Sequence, residues 1–251
     1  MTDAELAATF LTIGEEYERF RPGFPAEIAA AVAPSRVSSA LDLAAGTGKF
    51  TEQLVSRADR VIAVDPSEPM LAELRRKLPD VTALIGTAEA IPLADAGCDL
   101  VTVAQAYHWF DPEPASREIR RVLTAAGRLA LIWNGPDPRC TWDSDTYLIA
   151  HPHQDDEPAD ADHDADALPR RDVPGFTQVD SIRLSWSERI TRADYLNRWM
   201  TVSTFLAADE QQRRELVRRV EAVLDAHPDT RGRHTLHLPQ VTDALIYEPT
   251  V

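Results

Sequence analysis

The stretch LDLAAGTGKF, Leu41 to Phe50, decides the fold. An apolar run ends on an acid, two small residues follow, and Gly-Thr-Gly-Lys leads into an amphipathic segment. This is a buried strand, a tight turn and a helix start. In an open α/β sheet such a turn is the natural floor of a ligand crevice. Small residues let a ligand approach the backbone, and the amides that open the next helix face it.

The pattern repeats downstream. Short, nearly continuous apolar runs at Ala40–Leu43, Val61–Val64, Val81–Ile85, Leu100–Ala104 and Leu129–Trp133 read as strands covered on both faces. Between them, Phe50, Leu54 and Val55 share one helical face. Met70, Leu71, Leu74 and Leu78 share a second, and Ile119, Val122 and Leu123 mark a third. Ser67 with Pro69, and Asp111 with Pro112, are N-cap signals, and Gly127 is expected to end the third helix. The β-α alternation predicts a doubly wound, mostly parallel sheet.

The later part differs. Residues 151–172 are acidic and proline-punctuated, and read as an exposed loop with one helical turn. Residues 178–190 alternate as a half-buried strand does. Tyr195–Leu206 and Gln211–Leu224 read as two helices, with Thr191 and Asp209 as caps, and VTDALIYEP closes the sequence as a strand. The expected organisation is a Rossmann-like core over residues 1–136. Residues 137–251 then supply the acidic loop, a helical lid insertion and the last two strands of the same domain.

Bulk composition narrows the partners. Net charge is −15, which disfavours binding to a phosphate backbone or to anionic lipid. No uninterrupted apolar run approaches the ~20 residues of a membrane helix, and the first residues lack a signal-peptide pattern. Cys98 and Cys140 are the only cysteines, which fits a reducing compartment; a cytoplasmic location is expected. Lys49 and Lys77 are the only lysines, which reads as compositional bias.

Counting residues narrows which cofactor the turn holds. A triphosphate loop needs Gly, four residues, then Gly-Lys-Ser/Thr. Leu43 stands where its first Gly belongs and Phe50 where its hydroxyl belongs. The dinucleotide fingerprint G-x-G-x-x-G, read from Gly46, meets Gly48 but then Thr51. A bare structural turn is the remaining plain reading.

LDLAAGTGKFTEQL resembles the first motif of class I S-adenosylmethionine-dependent methyltransferases, an acid followed by G-x-G-x-G, with Ala44 in place of the first Gly. Four further stretches resemble that family's later motifs, in its order: VIAVDPSEPML, GTAEAIPLADAGCDLV, VAQAYHWF and EIRRVLTAAGRLALIWN. YERFRPGFP resembles the leading segment of the small-molecule branch that includes trans-aconitate methyltransferases. The resemblance covers residues 14–134 well and the remainder loosely.

It implies a seven-stranded sheet with an antiparallel last strand. It also implies S-adenosylmethionine as donor, S-adenosylhomocysteine as product, and a small-molecule acceptor methylated by in-line displacement. No metal, nucleic acid or membrane is implied, and the protein would be a monomer or homodimer. Asp65, 17 residues after Gly48, would accept from both ribose hydroxyls, with Pro66 beside it. Gly46 and Gly48 would face the donor's ribose and amino-acid part. Asp42 would orient the loop or meet the ammonium through water. Thr87, Ala88 and Glu89 would meet the adenine, where relatives often carry Asp at the position of Thr87. Met70 would cover the ring or simply pack in the core, and Gln105 would offer its backbone carbonyl to the ammonium.

Tyr107, His108 and Trp109 would border the transfer site, with His108 as base, hydrogen-bonding partner or packed neutral ring. Tyr17 and Arg21 would close over the donor carboxylate or the acceptor. Arg21 suits an anionic group, with Arg198 as a second arginine, or else fixes a turn. Trp133 and Asn134 would line the acceptor pocket. His151, His153 and His163 lack a fixed metal-ligand spacing. Two rival functions stay open: an NAD-type oxidoreductase, and a non-catalytic member of the fold, which Ala44 and Thr87 keep in play.

Overall fold

The computed structural model describes residues 18–151 and 171–250. Its centre is a seven-stranded sheet in the order β3-β2-β1-β4-β5-β7-β6. The strands are β1 Val37–Leu43, β2 Ala58–Asp65, β3 Thr82–Ile85, β4 Cys98–Ala104, β5 Leu123–Pro136, β6 Phe176–Thr191 and β7 Thr235–Pro249. β1 pairs in parallel with β2 and β4, β2 with β3, and β4 with β5. β7 runs antiparallel to both its neighbours, so it alone is reversed. The apolar runs of β1, β2 and β4 are buried along most of their length, because helices cover both faces.

One face carries α1 (Ala26–Val32), whose Ile28, Ala29 and Val32 pack with Phe50, Leu54, Ile132 and Ala244. Near it lie the short α2 (Thr51–Leu54) and α3 (Glu68–Lys77). Leu71 and Leu74 of α3 pack on Ala63. The other face carries α4 (Pro112–Val122), with Ala115, Ile119 and Val122 against Leu129, Leu131 and Leu245. Ser67 caps α3 by accepting from Met70 N, and Pro69 sits in its first turn.

A third core lies beyond the sheet. β6 and β7 continue past Pro136↔Gln240 as a two-stranded ribbon, from Ser187↔Pro239 to Thr191↔Thr235. Since β6 runs parallel to β1–β5, this ribbon rises from the carboxyl edge. Four helices pack on it as a cap: α5 Thr141–Ala150, α6 Arg192–Trp199, α7 Ser203–Ala207 and α8 Glu210–Ala226. Trp142, Ile149, Tyr195, Trp199, Phe205, Val220 and Leu224 close its core over Ile190, Leu236 and Leu238. Thr191 caps α6 through Asp194 N, and Asp209 forms a capping box with Gln212 at α8.

Four local expectations are corrected. Gly127 does not end a helix. α4 stops at Val122, β5 begins at Leu123, and the ladder to β4 shifts register there. A Cβ on Gly127 would stand 3.2 Å from the Cys98 carbonyl oxygen, so close strand approach is what requires glycine. Val55 is exposed, not buried with Phe50 and Leu54. The segment Tyr195–Leu206 is two helices, broken at Met200–Val202, where successive amides turn back onto Asn197, Arg198 and Trp199 carbonyls. α5 was not anticipated. Its buried face is Trp142, Asp143, Thr146, Ile149 and Ala150, and two polar residues mask the apolar periodicity.

The expected helical turn within the acidic loop lies outside the described residues. Cys98 and Cys140 are buried and unpaired with each other. No helix among the described residues is long and apolar enough to cross a membrane.

Candidate active site

The carboxyl ends of the strands and the cap enclose one cavity of about 990 Å³, at the upper end of small-molecule sites. Its floor is the turn after β1. Gly46 and Gly48 have φ of +55° and +83°, and at Gly48 a Cβ would also strike Leu74 Cγ at 2.8 Å. Ala44 takes φ +56° in the same turn. The left-handed conformation that a glycine would adopt freely is therefore retained against the side chain's steric preference.

Two acids organise this floor from opposite sides. Asp42 points beneath it. Its carboxylate accepts from Thr51 Oγ1 at 2.6 Å and from Thr102 Oγ1 at 2.9 Å. Burial pushes its pKa up to about 6 against those hydrogen bonds. It ties the turn to β4 and α2, which makes it a positioning residue. Asp65, at the end of β2, accepts from Gly46 N and Ser67 N, one on each carboxylate oxygen, both at 2.8 Å. Each oxygen keeps a second lone pair, and the residue lines the cavity. Burial raises its pKa, opposed by those two amides.

Around the floor stand Pro66, Met70, Thr87, Ala88 and Glu89. A Cβ on Gly46 would meet Met70 Sδ at 3.4 Å, so Met70 supports the turn as well as lining the cavity. Thr87 is exposed and Ala88 is buried. Glu89 accepts from Asp111 N, which anchors it to the start of α4. Gln105 ends β4 with φ +59°, and its side-chain amide donates to the Asn134 carbonyl at 2.8 Å. That side chain therefore links two strand ends, in addition to any use of its backbone.

The structure separates the aromatic cluster. His108 and Trp109 line the cavity. Tyr107 does not: it is buried in the core between sheet and α4, with its hydroxyl 3.4 Å from Ser116 Oγ. The catalytic role expected for Tyr107 is withdrawn on that geometry. A one-turn 3-10 helix, Tyr107–Trp109, sends these successive side chains in different directions. Trp133 and Asn134 both line the cavity; Arg171 lies over the Trp133 ring at 5.2 Å, and Asn134 donates to the Gly23 carbonyl. Tyr17, His153 and His163 lie outside the described residues.

The cap wall was the less anticipated half. Arg21 donates through Nε to Thr201 Oγ1 at 2.8 Å and through Nη2 to the Thr201 carbonyl at 2.9 Å. Arg198 donates through Nε to the Phe20 carbonyl and through Nη2 to both oxygens of Glu188. The two arginines stitch the leading segment to the cap. Below them, Tyr195 Oη donates to Asp143 Oδ1 at 2.6 Å and also meets Thr146 Oγ1. Burial pushes Asp143 up to about 6, and the Tyr195 hydroxyl well above its ordinary value. His151 stacks on Tyr147 with centroids 4.0 Å apart, and its Nδ1 lies 3.0 Å from the Tyr147 carbonyl. Burial lowers its pKa, opposed by the Tyr147 carbonyl and helped by the Arg21 charge, and the carbonyl contact places a proton on Nδ1. Asp143, Tyr147, His151, Tyr195 and Trp199 all line the cavity. No group of three His, Cys, Asp or Glu among the described residues is arranged to hold a metal ion.

Residues 41–131 match the family model described as a methyltransferase domain. An uncharacterized methyltransferase of Mycobacterium tuberculosis is 38% identical over 238 residues, 95% of this chain and 94% of that one. The chain belongs to the methyltransferase family. An uncharacterized methyltransferase-like protein of Schizosaccharomyces pombe is 40% identical over 156 residues, 60% of this chain and 61% of its own length. A solved structure from Anaeromyxobacter dehalogenans, described as a type II methyltransferase, superposes with a TM-score of 0.64 at 26% identity. It covers 92% of this chain and all of the other. The cofactor is S-adenosylmethionine, and the floor fits it. Asp65 presents paired acceptors for a ribose diol, and the Gly46 cradle is open where a side chain would fill it.

Proposed function

We propose that this methyltransferase acts on a small molecule, bound between the glycine turn and the cap and methylated by direct in-line displacement. The observation that carries this reading is the single cavity of about 990 Å³ that joins the Asp65 floor to the cap wall. A polymer substrate calls for an open groove, and a nucleic acid for a basic one. Here the walls carry several aromatic side chains, among them Phe24, Trp109, Trp133, Tyr147 and Trp199. The bound cofactor supplies an electrophilic methyl group on a sulfonium.

The chain's own residues bind, orient and exclude water. Asp65 holds the ribose diol, and the Ala44–Gly48 backbone and the Gln105 carbonyl hold the amino-acid end. Thr87 and Ala88 meet the adenine. Aromatic faces favour a cationic centre and keep water out. His108 at the mouth and His151 in the cap wall face the acceptor space. His151 is the one with a fixed tautomer, its Nε2 lone pair available to take a proton from a neutral acceptor. Arg21 closes the leading segment over the site.

Thermal unfolding with S-adenosylhomocysteine, S-adenosylmethionine and NAD, beside an Asp65→Ala variant, tests the cofactor floor. A ligand at ~100 times its Kd stabilises by about 2.7 kcal/mol, at roughly 2–4 °C per kcal/mol for this size. Shifts with both sulfur compounds, none with NAD, and loss of the shift in the variant are expected. A shift with NAD alone would overturn the reading. Incubation with methyl-labelled donor and a pool of small metabolites tests the acceptor class. Label that appears only in macromolecules would refute a small-molecule acceptor.

A further inference from the structure

Buried polar groups in folded proteins are almost always partnered, so those left over are informative. Arg198 is 6% exposed and lines the cavity. Its Nε and Nη2 are used within the chain, but Nη1 is buried with no hydrogen-bond partner among the described residues. Gln240, 7% exposed, also lines the cavity, and its Oε1 is likewise buried and unpartnered. The β6–β7 register joins the two. Glu188, which holds Arg198, pairs with Leu238, and Gln240 pairs with Trp186 two residues along. Directly opposed and alternate residues share a face. The orphaned donor and acceptor therefore belong to one patch of cavity wall.

A guanidinium nitrogen sealed from water carries a desolvation cost unless an oxygen accepts from it, and a carboxylate oxygen makes the stronger bond. Glu188 already occupies the Nη2 side, and Asp143 stands nearby on α5. A ligand with several negative charges would be repelled by both. The neighbouring walls, Tyr147, His151 and Trp199, are flat rings.

Resting on the small-acceptor reading above, the geometry points to a specific acceptor class: a monocarboxylic acid with a flat apolar body. One carboxylate oxygen accepts from Arg198 Nη1, the body lies among the Tyr147, His151 and Trp199 rings, and Gln240 Oε1 is left for a hydroxyl or amino substituent of the body, which would donate to it. This selects aryl or unsaturated monoacids over the polycarboxylates that the sequence resemblance brings to mind. With the carboxylate held there, methylation falls on that carboxylate itself or on a substituent of the body.

The test is calorimetric titration of protein saturated with S-adenosylhomocysteine. The probes are benzoate and cinnamate, their neutral amides, and citrate. The acids are expected to bind at least 10-fold more tightly than the amides and than citrate. Arg198→Met alone leaves the half-buried Glu188 without its partner, so the informative variant is Arg198→Met with Glu188→Gln. It is expected to lose at least 10-fold in affinity for the acids while keeping its S-adenosylhomocysteine affinity within 2-fold. Should that variant fail to fold, the acid-against-amide comparison on the natural chain decides alone. Equal binding of acids and amides, preference for citrate, no binding of either acid, or a double variant that binds acids normally would each overturn the assignment. Failure of S-adenosylhomocysteine itself to bind would instead refute the cofactor floor beneath it.

Discussion

The two ends of the cavity are built on different principles. At the floor, most key contacts are made within or next to one strand–turn–helix unit, Asp65 to Ser67 N, Asp65 to Gly46 N and Asp42 to Thr51, with Thr102 of β4 the one remote partner of Asp42. In the cap, partners are remote in sequence: Arg21 reaches Thr201, Tyr195 reaches Asp143, and Arg198 reaches Phe20. The floor draws its donors from backbone amides and threonine hydroxyls and leaves lone pairs on Asp65 for a ligand. The cap relies on long side chains that reach remote side chains and carbonyls, and it leaves a donor unfilled. Local construction suits a ligand that does not change; remote construction lets the other ligand be redefined by single side chains.

The sharpest way to break this contrast is at Asp65. Asp65→Ala removes the acceptors for the ribose diol, charge-assisted bonds of ~1.5–3 kcal/mol each. S-adenosylhomocysteine affinity should fall at least ~100-fold, read by calorimetry, while aromatic-region circular dichroism from the cap stays unchanged. A smaller expected effect belongs to Tyr195→Phe. It strips Asp143 of its donor and should cost about 2 kcal/mol in urea unfolding. Donor affinity should be unmoved, and a matching loss of it would show that the two ends are not separable.

The third effect is on pH. Asp42 and Asp143 hold their protons to about 6 when folded, against 3.8 as the ordinary value. The folded state then binds more protons than the unfolded one between those values. Their contribution is complete below 3.8 and is lost as pH rises through about 6. From pH 5 to above 6 the loss is about 1.4 kcal/mol per group. Asp143→Asn should flatten half of that slope in chemical denaturation across pH 5–7.5; an unchanged slope would refute the buried protonated state. The smallest effect is expected at Ala44→Gly. Relief of the positive φ is partly offset by added unfolded-state entropy, leaving up to about 1 kcal/mol of stabilisation. A loss of stability there would show that Ala44 contributes packing worth more than its strain.

The same contrast explains what the sequence made legible. The turn, the five parallel strands and Asp65 were readable because short-range spacing encodes them. The last two strands were readable from the alternation of β6 and the apolar run of β7, the reversed direction of β7 followed from the family resemblance, and the ribbon they form beyond the sheet was not anticipated. α5 was not, because Asp143 and Thr146 occupy its buried stripe. Tyr107 was misplaced because periodicity does not say which way each residue of a 3-10 turn points. Lys49 and Lys77 looked like compositional residue. Both converge on Glu18, which Lys77 meets at 2.8 Å and Lys49 at 3.6 Å, and so fasten the leading segment to the floor. Nothing local in the sequence announces a contact across 59 positions. Orphaned polar atoms such as Arg198 Nη1 become visible only once all other partners have been assigned.

The ribbon ends at Thr191 and Thr235, which stand opposite each other across the β6–β7 ladder. Everything between them leaves the sheet and returns to it at one point in space. An interchangeable module needs that arrangement: the excursion can be lengthened, shortened or traded without shifting the register of any strand below. The chain thus carries the glycine-turn engine and a separately rooted tool head on one shaft. Chimeras joined at those two threonines would carry Arg198 and Trp199 but leave Tyr147, His151 and Gln240 behind, so acceptor specificity should move only when α5 is exchanged with them.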